Sequence, residues 1–184
     1  MGGICIDRLI SRLLRITITA ISVAMVSVAI TGTCAYTYEA QQLYHEGKPV
    51  IHGDTGFQSR IHDALEYLED RYPDNYRETA FWLTEVRPTD ACTRVNGLGV
   101  CYISKKDSSD QRVWLAGVLI HEAQHVEDDY TYFIEHPYTV EESELRALQS
   151  QSAFLASANG WSPEQRQSWI DYWMDNRYWE RAKY

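Results

Sequence analysis

Apolar positions recur at different spacings along this 184-residue chain, and the changes of spacing mark its elements. In residues 57–72, Ile61, Ala64, Leu65 and Leu68 recur at intervals of three and four, the signature of one helix face, and Pro73 ends the pattern. His62 lies beside that stripe and reads as a surface residue. Residues 75–86 fit a helix through Trp82 followed by extended chain. From Val113 to Ile120 the chain is almost wholly apolar, as expected of a helix buried on all sides. A second long helix runs from about Glu141 to Ala158, until Gly160-Trp161 breaks it. A third starts at Ser162-Pro163-Glu164-Gln165, with an N-cap serine, proline at the first helical position and a glutamine closing a capping box. Trp169, Ile170, Trp173, Met174 and Tyr178 then form a stripe that packs on the preceding helices. These elements predict an α+β fold that is mainly helical.

Between the first helices and the apolar run, β-prone residues flank Asn96-Gly97, the strongest short signal for a two-residue hairpin turn. With that turn Val95 faces Leu98, and counting outward puts Cys92 opposite Cys101. The pair then falls at a non-hydrogen-bonded position, whose short Cα separation suits a disulfide.

The apolar run leads directly into His121-Glu122-Ala123-Gln124-His125. Residues four apart share one helix face, so His121 and His125 can aim ring nitrogens at one point, and neutral imidazole binds Zn²⁺ well. Glu122, one residue round, is placed to take a proton from metal-activated water and pass it to a leaving amine. In a buried helix, two histidines and a glutamate without partners would be costly, which favours a metal over chance. No third histidine follows closely. A glutamate on the next helix can complete the set, and Glu141, Glu142 and Glu144 open that helix, where at least one of them serves the positive helix N-terminus.

Here the chain resembles the gluzincin-type zinc metallopeptidases across roughly residues 112–158. The resemblance rests on the His-Glu-x-x-His motif and on Glu144-Leu145-Arg146-Ala147, similar to the family's Glu-x-x-Ala setting. It implies a zincin-like core with an active-site helix, a Glu-bearing helix and an edge strand that pairs with extended substrate. That role would fall to the Asn96-Gly97 hairpin. It also implies Zn²⁺ held by His121, His125 and Glu144, with Glu141 one turn earlier as the alternative third ligand and His136 as a weaker one. Tyr130 and Tyr138, in the connection between the two helices, are candidates to donate to an oxyanion.

Charge narrows the partners. Lys and Arg number 17 against 26 Asp and Glu, a formal net charge of −9, and three of the arginines lie within residues 8–15. So acidic a body argues against nucleic acid, which demands a basic face; charge alone does not specify a partner, and a peptide or protein substrate is what the resemblance implies. Arg8, Arg12 and Arg15 precede an uncharged stretch, residues 16–30, and small residues follow to Ala35. This describes a secretory signal over 1–35, or an uncleaved anchor spanning the membrane through residues 9–36, with lipidation at Cys34 a weaker alternative. Each version exports the body, to the periplasm, the medium or the outer face of an inner membrane, where Cys92 and Cys101 should oxidise. Residues 36–56 read as a linker and 57–184 as the catalytic domain. The functional expectation is zinc-dependent peptide hydrolysis. The alternatives are a non-catalytic zinc-binding or adaptor protein on the same scaffold, and a membrane-tethered helical interaction module.

Overall fold

The structure is a computed structural model in which residues 48–132 and 138–181 are described. The expected signal or anchor, the first part of the linker and His136 lie outside those residues. All described residues belong to one unit, His45–Tyr184. No helix among them is long and apolar enough to cross a membrane.

The segment expected as linker already carries structure. After the short strand β1 (Val50–Ile51), Asp54 accepts the Phe57 N–H at 2.8 Å and caps helix α1 (Thr55–Arg71). Such a cap replaces one of the partners that a helix start lacks. Phe57, Ile61, Ala64, Leu65 and Leu68 are the buried face of α1, the stripe expected from their spacing. Pro73 cannot extend that helix but can begin another, and it occupies the first turn of α2 (Pro73–Trp82). The chain then extends into β2 (Glu85–Thr89), as the mixed pattern of 75–86 predicts.

Strands β3 (Arg94–Val95) and β4 (Val100–Ser104) complete a four-stranded sheet of order β1-β2-β4-β3. β1, β2 and β4 are parallel, and only β3 runs antiparallel, on the edge. The hairpin is therefore part of a larger mixed sheet.

Its register also departs from the expected one. Val95 pairs with Cys101 and Arg94 with Tyr102, so the loop is longer than a two-residue Asn-Gly turn. Asn96 explains the difference, because its Oδ1 accepts the N–H groups of Leu98 (3.1 Å) and Val100 (3.0 Å). This side-chain-closed turn competes with the tighter one. Gly99, at φ +77°, makes the reversal, and a Cβ there would lie 2.3 Å from the Trp82 carbonyl oxygen. Cys92 consequently lies outside the position opposite Cys101. Both are free thiols, Cys92 exposed and Cys101 buried, and the expected bridge is not formed.

After the single turn α3 (Lys105–Ser108) comes the longest helix among the described residues, α4 (Arg112–Tyr132). Leu115, Ala116, Val118, Leu119 and Ile120 are all buried, joining Ile61, Leu65, Leu68, Val86 and Ile103 in one core. Helix α5 (Val140–Asn159) lies along α4. Gly117 brings them close, since a Cβ there would already touch Gln151 Cγ and Leu155 Cδ2 at 3.3 Å. The start of α5 is fixed by a capping box: Glu142 accepts the Thr139 N–H at 2.7 Å while Thr139 accepts the Glu142 N–H at 3.2 Å. Its end is fixed by Gly160 in the left-handed region, φ +69°. Helix α6 (Pro163–Asn176) opens with the predicted Ser162–Gln165 capping box and is tied back to α5 by Arg166, which donates to Ser152 Oγ and the Gln149 carbonyl. The short α7 (Tyr178–Arg181) follows.

Candidate metal centre

The seam between α4 and α5 changes character past Gly117. One turn on, His121 faces α5, and His125 follows a turn later. Glu144 reaches toward both from the first turns of α5. His121 Nε2 and His125 Nε2 are 3.1 Å apart, and Glu144 Oε2 lies 3.5 Å from the first and 3.6 Å from the second. Ligands bound to one tetrahedral zinc at about 2.0–2.1 Å stand about 3.3 Å apart. Two imidazole nitrogens and a carboxylate oxygen with this spacing can hold one metal ion, and their chemistry suits zinc. The group is largely withdrawn from water, with His121 at 7% exposure and Glu144 at 4%.

The electrostatics follow from that burial. Burial alone would push the Glu144 carboxyl up, but the His121 and His125 rings beside it outweigh that and hold Glu144 far below the usual carboxylate range. For His125 burial disfavours the charged ring, yet Glu144, Glu122 and Asp128 together hold it above its ordinary value. Glu122, 5% exposed, is raised mainly by burial, with Glu144 and Asp107 adding to the rise and both histidines opposing it. A raised carboxyl lies closer to neutral pH, where an acid–base group is most effective.

These groups line a cavity of about 850 Å³. Cys92–Val95, at the free edge of the sheet, forms one side, and Trp114, Trp169 and Trp173 form another. The cavity therefore extends well beyond the space an ion needs, within the usual range for ligand pockets.

The other expected site residues divide sharply. Tyr138 lines the cavity, its ring stacked 4.9 Å from the Arg146 guanidinium. Tyr130 packs on Trp82 at 5.6 Å and does not line it, so the structure does not support Tyr130 as an oxyanion donor. Glu141 is exposed and faces Arg177 at 3.8 Å, and Glu142 is spent on the helix cap. Of the three acids only Glu144 joins the histidines.

Behind the cluster lies a polar network absent from the sequence reading. Asp128, 2% exposed, accepts from Gln124 Nε2 (3.1 Å), Arg146 Nε (2.8 Å) and Ser143 Oγ (2.9 Å), and Ser143 Oγ in turn meets His125 Nδ1 at 2.9 Å. Two clues were available: Asp128 stands one turn after His125, and Ser143 adjoins Glu144.

No protein-family model, curated protein or solved structure matches this chain. The fold and the site therefore rest on their own geometry.

Proposed function

We propose that this protein is a zinc-dependent peptidase of gluzincin type, with His121, His125 and Glu144 as metal ligands and Glu122 as the acid–base group. The observation that carries this reading is the convergence of the three ligand atoms beside a buried glutamate in a cavity large enough for a substrate. A bound Zn²⁺ would supply Lewis-acid polarisation of the scissile carbonyl and acidify the attacking water. Glu122 takes the proton from that water and delivers it to the leaving nitrogen, which its raised carboxyl suits. Strand β3, the edge of the sheet among the described residues, would offer an extended peptide a strand to pair with beside the cluster. Tyr138 is the remaining phenol for the oxyanion.

The test is elemental analysis of the full chain beside His121→Ala and Glu144→Ala, together with peptide-library turnover. About one zinc per chain, lost in both variants and accompanied by cleavage, supports the reading. Zinc without cleavage of any peptide would replace it with a non-catalytic zinc-binding protein. No stoichiometric metal would end it.

A further inference from the structure

A histidine binds metal through a nitrogen that carries a lone pair, so something must hold the proton on the other nitrogen. For His125 the structure identifies that device. Ser143 Oγ lies 2.9 Å from both His125 Nδ1 and Asp128 Oδ2, and a hydroxyl has only one proton to give. Asp128 is paired with Arg146 and also receives Gln124, so it accepts from both. The Ser143 proton therefore points to Asp128. Ser143 must then accept from His125, which places the imidazole proton on Nδ1. That leaves the lone pair on Nε2, the atom that converges with His121 Nε2 and Glu144 Oε2.

We propose that Asp128, acting through Ser143, is a positioning residue that fixes His125 in its metal-binding tautomer and thereby sets metal affinity. This rests on the metal reading above. The relay crosses the helix seam: Asp128 and His125 belong to α4, and Ser143, Glu144 and Arg146 to a single turn of α5. One contact thus ties ligand orientation to the packing of the two helices. Ligand histidines oriented through such second contacts commonly lose about 10- to 100-fold in metal affinity when the contact is removed.

The geometry also provides a substitution that reverses the relay without changing its shape. In Asp128→Asn the amide oxygen belongs where Gln124 and Arg146 donate, which turns the amide N–H group toward Ser143. Ser143 must then give its own proton to His125 Nδ1, moving the ring proton to Nε2, where it blocks the metal.

The experiment is zinc affinity of the full chain by chelator competition, with nitrogen NMR of the histidine rings of the metal-free protein at mildly alkaline pH. Asp128→Asn and Ser143→Ala should bind zinc about 10- to 100-fold more weakly, and Ser143→Thr, which keeps the hydroxyl, should recover most of the affinity. The His125 ring should carry its proton on Nδ1 in the parent and on Nε2 in Asp128→Asn, a change that a merely structural role would not produce. Parent-like affinity in Asp128→Asn, or a parent ring protonated on Nε2, would overturn the proposal. A parent that binds no zinc but shows the expected pair of tautomers would remove the metal reading and leave the relay standing.

Discussion

Helix α4 is two helices in its chemistry. From Leu115 to Ile120 it is apolar and buried, with Leu119 at 0% exposure. From His121 to Asp128 five positions are buried almost as deeply, and three of them, His121, Glu122 and Asp128, are ionisable, beside the apolar Ala123 and Val126. The first half needs only volume from its neighbours. In the second half the polar groups need neighbours of the right polarity: Glu144 stands beside His121, and Gln124, Ser143 and Arg146 donate to Asp128. Substitutions that keep shape should therefore be tolerated in the first half and damaging in the second.

The strongest test of that contrast is Glu122→Gln. It keeps the shape but removes the proposed acid–base function, and peptide cleavage should fall by about 10²- to 10⁴-fold while zinc content stays at the parental level. Parent-like cleavage by this variant would sink the mechanism. The converse test is Leu119→Ala, which should lower stability by about 2–5 kcal/mol in denaturant unfolding without altering the zinc bound per folded chain. Loss of zinc in protein that remains folded would mean the two halves are not separable. A third measurement bears on the sheet beside the site. Mass-resolved alkylation of the native protein should modify Cys92 readily and Cys101 only after unfolding, because burial pushes the Cys101 thiol well above its ordinary range and Glu122 adds to the effect. Resistance of both cysteines until reduction would restore the bridge that the register argues against. The smallest effect belongs to Glu141→Ala. It should leave zinc content intact and change stability by no more than about 0.5 kcal/mol, since its long contact to Arg177 is exposed.

What the sequence made legible follows the same division. The stripe of α1, the apolar run of α4, the capping box at Ser162 and the pair His121–His125 are all set by residues within a turn or two of one another, and pattern alone revealed them. Glu144 was distinguishable from Glu141 only through its Glu-x-x-Ala setting, and the capping role of Glu142 confirms that acids at a helix start have competing uses. The mixed sheet was not legible, because β1 and β2 pair in parallel across two helices, and β2 and β4 pair in parallel across β3 and its loops, which leaves no local mark. The hairpin register failed for a local reason: Asn96 closes the loop with its side chain and shifts the reversal to Gly99. The Asp128–Ser143 contact was hidden because each partner looks like an ordinary polar residue until the two helices are laid together.

Gly117 carries a consequence beyond close packing. It meets α5 one turn before His121, where even a methyl group would press on Leu155 and Gln151. The ligand atoms of His121, His125 and Glu144, 3.1–3.6 Å apart, thus face one another beside a contact where the two helices already touch. The absent side chain of a glycine thus lets the two helices approach closely enough for three side chains drawn from both to share one point.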